Sequence, residues 1–369
     1  MPVYTPDQIP GIGDKFLESY EKGTYTDISR NNQFSIFARH FESKVAKRPK
    51  STSYTFNYKD RIYSNVRHRA MDQEDSVNRE NIGAKGSIEI GFQDTHFWVN
   101  ELEPCWSDDG SSQETEIINY LGYEAQNMED AFYEEADGNL CQLRIAENDG
   151  TSGPVYPHAI PYWVTNPLAN DTGGFNGDNA TDSASTRYAA TGGLDRATYT
   201  GLKNYTFTWG SVSPDDFMRK AFIAMAETNF KPYYSVSARN ATENVTQQRH
   251  VIFSDLTTFA DYRQNTFGMN ENFGSDLGKF QTNTKSNVWA STNWEWIPAT
   301  ALGGASVRQV WGLDLSTWDF VQYGPWFKRK QKIARSGTAH NQLVGWMDSA
   351  WTTCCKNPRA NFAAVPNLT

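Results

Sequence analysis

Apolar residues recur at spacings of three and four between Ser111 and Asp137, where Ile118, Leu121, Ala125, Met128 and Phe132 share one face of a helix. Ser111 and Glu114 form an S-x-x-E capping box, and Gly138 stands where a helix C-terminus favours a left-handed residue. About 25 residues at 1.5 Å rise give a rod of roughly 38 Å. Its polar face is acidic, with Glu124, Glu129, Glu134 and Glu135. The pattern predicts one long helix that packs on a sheet through the five apolar residues. Upstream, Ile88, Ile90 and Phe92 alternate with Glu89 and Gly91, the period of a half-buried strand. The stretch feeding that strand is apolar-poor and carries both signs of charge: Arg61, Arg67, Arg69, Asp72, Glu74, Asp75, Arg79, Glu80 and Lys85. It reads as a projecting hairpin, with a solvated loop as the plain alternative.

Elsewhere the pattern is shorter-ranged. Residues 1–49 alternate aromatics (Phe34, Phe37, Phe41) with Pro and Gly and end in Lys44, Lys47, Arg48 and Lys50, the look of an extended arm with one helix. From Thr165 to Gly201 the chain is rich in turn formers and reads as a surface excursion. Ser213, Pro214, Asp215 and Asp216 supply an N-cap, an N1 proline and first-turn acids for a helix that runs to about Thr228. A strand at His250 to Phe253, a helix from Leu256 to Gln264 and a strand at Val307 to Leu313 follow. Helices and strands are thus mixed throughout, an α+β chain with no internal repeat.

Charge and composition narrow the function. The 369 residues include 43 acidic and 34 basic side chains, a net charge of −9, which disfavours a dense nucleic-acid-binding surface. Aromatics at 14% supply enough apolar area for a real core. Four cysteines, Cys105, Cys141, Cys354 and Cys355, are too scattered for a disulfide framework. The opening residues lack a basic and an apolar signal region, and no run approaches ~20 apolar residues. The expectation is a protein made in the cytoplasm, with no membrane partner.

Motifs for catalysis are weak. Gly274 to Phe280 has one residue too few between its glycines for a phosphate loop and lacks the hydroxyl, and Phe16 breaks any dinucleotide fingerprint begun at Gly11 and Gly13. His40, His68, His96, His158, His250 and His340 are dispersed, without a second histidine at metal-ligand spacing. The doublets Asp108/Asp109, Glu134/Glu135 and Asp215/Asp216 point apart if helical, and the last is explained as helix capping. No catalytic residue, cofactor or metal is expected. Two basic runs, Lys44 to Lys50 and Lys328, Arg329, Lys330 and Lys332, suit phosphate contact or, more plainly, a solvated face or a subunit contact.

The stretch GGLDRATYTGLKNYTFTWGSVSPDDFMRKAF carries Gly193, Leu194, Asp195, Arg196, Ala197 and Thr198, which match a G-[IL]-x-R-x-[TS] pattern. It resembles the passage found in tailed-phage major capsid proteins. Ile160 to Pro167 resembles the lead into that passage, and Val310 to Trp318, Gly324 to Phe327 and Cys355 to Ala360 resemble the closing strands. The likeness covers roughly Gly91 to Ala364. It implies the Hong Kong 97-like capsid fold, here divided as an N-terminal arm (1–58), an extended loop (59–95), a peripheral domain with a long spine helix (96–165), an axial domain (166–325) and a C-terminal return to the peripheral domain (326–369). The implied role is a coat protein that assembles hexamers and pentamers into an icosahedral shell around double-stranded DNA, bound without sequence specificity. Portal, scaffold and decoration proteins are candidate partners, and the implied place is the virion capsid, assembled in the host cytoplasm. On that reading Arg61, Arg67, Arg69, Asp72, Glu74, Asp75, Arg79 and Glu80 are inter-subunit contacts, and the arm's aromatics anchor on a neighbour. The rival readings are a secreted carbohydrate-binding or carbohydrate-active protein, suggested by the abundant Trp and Tyr, and another phage structural protein.

Overall fold

Two sheets and a hairpin organise the chain. The structure, a computed structural model, describes residues 35–59, 83–100, 113–142, 155–167, 171–180, 190–228, 250–271, 287–289, 294–302, 308–335 and 342–367. The hairpin is β1 (Ser53–Lys59) against β2 (Gly83–Glu89), antiparallel, with Ser53 opposite Glu89 and Lys59 opposite Gly83. After a break at Ile90 the chain enters β3 (Gly91–Asn100).

That break changes which face is buried. Ile88 and Ile90 are buried, yet Phe92, expected to continue their face, is 53% exposed, while Phe97 and Val99 turn inward. Gly91 is the cause: a Cβ there would lie 2.4 Å from the Pro157 nitrogen. The backbone passes too close to residues 156 and 157 for a side chain, and the inward set shifts from even to odd positions.

The five-stranded sheet is built on the long strand β12 (Gln342–Cys355). One part of β12 pairs with β3, from Gln342 opposite Asn100 to Trp351 opposite Gly91. Its end pairs with β9 (Trp318–Gln322), and β10 (Arg329–Lys330) and β11 (Ala334–Arg335) also join it. The helix α1 (Gln113–Cys141) packs against β3. Leu121, Ala125, Met128 and Phe132 are buried, and Ala136 and Leu140 carry the same stripe onward. Ser111 and the side chain of Ile118 lie outside the described residues. Gly138 does not end the helix: burial of Leu140 outweighs the ~1 kcal/mol cost of an internal glycine. At 29 residues the rod is about 43 Å long.

The six-stranded sheet has the order β4 (Tyr205–Trp209), β13 (Phe362–Pro366), β8 (Val310–Asp314), β5 (His250–Ser254), β7 (Trp294–Pro298) and β6 (Asn287–Trp289). Strands β4, β5 and β8 are buried at every residue. The helix α2 (Arg219–Thr228), entered through a π-helical turn at Pro214–Met218, packs on β4, and α3 (Leu256–Glu271) packs on β7. Ser213 takes the N-cap backbone position without a side-chain cap bond. Strand β13 ends the C-terminal segment in this sheet, whereas β9, from within residues 166–325, belongs to the other.

The arm differs from its expectation. The turn Phe37–Phe41 is not presented to a neighbour: Phe37 and Phe41 are fully buried in their own subunit. The Phe37 ring lies 4.7 Å from Trp351, 5.8 Å from Phe320 and 5.9 Å from Phe132 between centroids, closing the gap between α1 and the sheet. Asp137 of α1 accepts the Phe37 N–H at 2.8 Å. Lys47 then bridges to Val321 in parallel at the edge of β9. Local pattern marks such residues as apolar but does not say which distant elements they will plug.

Candidate assembly surface and the contacts that hold it

The eight loop residues Arg61, Arg67, Arg69, Asp72, Glu74, Asp75, Arg79 and Glu80 lie outside the described residues. The strands on either side of them are described, and they form a firmly held root. Phe56, Tyr58 and Ile88 point into the core by the period-two rule. The Phe56 ring meets Trp163 edge-on at 5.6 Å. Ser87 N–H donates to the Gly192 carbonyl at 3.0 Å, and Gly192 N–H donates to the Tyr162 hydroxyl at 2.7 Å. Gly192 has φ +60°, a conformation that glycine adopts without strain. On the other strand Tyr54 donates to Asp319 at 3.1 Å, and burial together with that carboxylate raises its phenol well above the usual range.

Behind the root lies the motif arginine. Arg196 is fully buried, and its guanidinium donates to Thr165 Oγ1 at 3.2 Å, the Asp178 carbonyl at 3.0 Å, Asn204 Oδ1 at 3.0 Å and the Trp163 carbonyl at 2.5 Å. All four acceptors are uncharged. Burial lowers its pKa to about 10, so it remains a cation at neutral pH, held by oriented dipoles. Asn179 fixes the backbone by accepting the Arg196 N–H at 3.0 Å and donating to Asp195 at 2.8 Å. One side chain thus ties the one-turn helix Ile160–Trp163, the loop before β4 and residues 178–179 into one junction. The segment expected to be a surface excursion buries Asn179, Thr191, Leu194 and Arg196.

No family model matches the sequence, and no curated protein matches it. Solved structures do. The capsid asymmetric unit of cyanophage A-1(L) aligns with TM-score 0.62 and 10% identity over 94% of this chain and 95% of that one. The capsid of Myoviridae phage XM1 aligns with TM-score 0.52 and 12% identity over 93% and 94% of the two chains. The capsid of cyanophage P-SCSP1u aligns with TM-score 0.50 and 10% identity over 93% and 91%. The chain has the fold of phage capsid proteins.

Within this capsid fold the other sequence candidates become internal ties. Lys328 pairs with Glu42 at 2.6 Å and Lys330 with Glu129 of α1 at 2.5 Å, so these two lysines of the basic run bind the arm and the long helix to the sheet. Lys44 donates to the Trp318 carbonyl at 2.8 Å. Asp216 accepts the N–H groups of Gly210 at 2.6 Å and Ser211 at 3.0 Å and pairs with Lys220 at 2.7 Å. Burial opposes its ionisation, but Lys220 and the two amides outweigh it and hold the carboxyl below its ordinary value. His158 is buried under β12, donates its N–H to Thr352 at 3.0 Å, and has its pKa lowered to about 4 by burial. Cys354 and Cys355 are free and buried, and burial pushes the Cys355 thiol up to about 12. Among the described residues no cluster of three His, Cys, Asp or Glu side chains suits a metal, and no helix is long and apolar enough to cross a membrane.

Sequence reasoning gave Arg196 no role, although the motif contained it. An arginine beside two glycines and an aspartate reads as solvated until the fold shows five backbone and side-chain oxygens converging on it.

Proposed function

We propose that the chain is a tailed-phage coat subunit that self-assembles as hexamers and pentamers into an icosahedral shell enclosing double-stranded DNA. The observation that carries this reading is the capsid fold spanning 94% of the chain. The architecture supports it physically. A subunit needs a stiff body and a projecting contact element, and the hairpin root is bonded to both the Tyr162 turn and the Gly192 loop. On this reading the charged residues from Arg61 to Glu80 meet a neighbouring subunit, and repetition around a shell multiplies contacts worth little singly. The role is structural rather than enzymatic, in the virion, after assembly in the host cytoplasm. Portal, scaffold and decoration proteins would meet the assembled shell rather than the isolated subunit. The carbohydrate reading loses its motive, because Trp163, Trp209, Trp294, Trp296, Trp311, Trp318 and Trp351 are all buried in the core and offer no stacking platform.

Size-exclusion chromatography with electron microscopy of the purified protein tests the proposal. Capsomers or closed shells are expected. A stable monomer that never assembles, across concentration and salt, would count against it.

A further inference from the structure

The sheet built on β12 has one covered face and one open face. Phe97, Val99, Leu343 and Met347 are buried in the core shared with α1, whereas Phe92, Trp98 and Trp346 on the opposite face are 53%, 52% and 40% exposed. The β3–β12 register places Asp94 directly opposite Asp348, flanked by His96 opposite Trp346 and Phe92 opposite Ala350, with Trp98 two residues further along. The His96 and Trp346 rings stack at 4.7 Å. Directly opposed carboxylates lie roughly 5 Å apart and repel, a cost to the strand pair unless a cation covers them. Asp94 makes no hydrogen bond or ion pair among the described residues, and Asp348 accepts one from the Gln331 amide at 2.5 Å. No three-ligand metal cluster forms there. Half-exposed indoles beside unneutralised carboxylates suit a guanidinium, which forks onto a carboxylate and stacks on an aromatic ring. Arg329 already lies over Trp326 in this way, at 4.3 Å.

We propose that this open face seats residues 61–69 of a second copy of the chain, with Arg61, Arg67 and Arg69 over the Asp94/Asp348 pair between Trp98 and Trp346. The proposal rests on the capsid reading and names the surface that receives the loop. Residues 61–71 carry three arginines and no acid, so their charge complements the pair. The second copy is favoured by connectivity. The loop joins Lys59 to Gly83, and all of β2 separates that root from β3. A loop of this length doubled on itself reaches on the order of 35 Å at ~3.3 Å per residue, and continuing the hairpin carries that reach away from its own β3.

A charge swap tests the pairing. The variant Asp94→Lys with Asp348→Lys keeps like charges opposed within the sheet, so its melting temperature should stay close to wild type while shell yield falls at least tenfold. Adding Arg67→Glu and Arg69→Glu should restore most of that yield. Should the lysine pair fail to fold, Asp94→Asn with Asp348→Asn removes the attraction without new charge and should lower shell yield alone. Normal assembly of a folded aspartate variant would overturn the proposal. So would a block that the swap does not relieve, which would assign the face to a different basic partner. Wild-type assembly in the same preparation is the control, because its absence would strike the capsid reading instead.

Discussion

The two sheets of this protein solve different problems. In the six-stranded sheet β4, β5 and β8 are buried at every position, and Phe207, Trp209, Phe217, Trp296 and Phe362 fill the space around them. In the five-stranded sheet β3 alternates, with one face under α1 and the other carrying exposed aromatics and aspartates. A sheet buried on both sides is committed to its own subunit. A sheet open on one side holds surface in reserve, and in a coat subunit such surface is where copies meet. The difference separates residues whose loss should unfold the protein from residues whose loss should leave it folded and unable to assemble.

The largest effect should come from the closed sheet. Trp296 is 1% exposed, lies 4.0 Å from the Tyr262 ring and donates its indole N–H to Ser254 at 2.7 Å. Trp296→Ala should cost about 3 to 5 kcal/mol, read as a lower denaturant midpoint and loss of soluble yield. Next, Arg196→Met would strand buried carbonyls of residues 162, 163 and 178 and should cost on the order of 3 kcal/mol, with Arg196→Lys costing less because one cationic head reaches fewer of them.

Acid should act beneath the half-open sheet. His158 has a folded pKa of about 4 against 6.5 unfolded, so the unfolded state binds the proton more readily. The stability this contributes is complete above pH 6.5 and is lost as pH falls through about 4, up to ~3 kcal/mol from the difference in pKa. The variant His158→Gln should flatten the stability profile between those values, measured by urea melts across pH. The smallest effect on folding should be at the open face. Trp98→Ala should change stability by no more than about 0.5 kcal/mol, yet reduce shell yield in an assembly assay. A large destabilisation there would erase the distinction between the sheets.

The same distinction explains what was legible in the sequence. The long helix was readable because its stripe repeats every three to four residues against one partner, and Leu121, Ala125, Met128 and Phe132 lie where the period places them. Its end was not, because whether Gly138 stops a helix depends on whether Leu140 finds a core beyond it. Phe92 was assigned the wrong face because the parity change at Gly91 comes from the backbone of residues 156 and 157, far away in sequence. Phe37 and Phe41 were taken for neighbour-binding anchors, since hydrophobicity alone does not say in which subunit a ring is buried. Arg196 needed three separate segments to become visible as a buried cation. The charged loop was recognised from composition, and its root is a hairpin closed by Lys59 and Gly83.

Electron microscopy of the purified wild-type protein, beside the folded Trp98→Ala variant, tests the central claim most directly. Closed icosahedral particles are expected for the wild type, with the variant folded but depleted of them. A wild type that stays a monodisperse monomer at every concentration and salt tried would contradict the account.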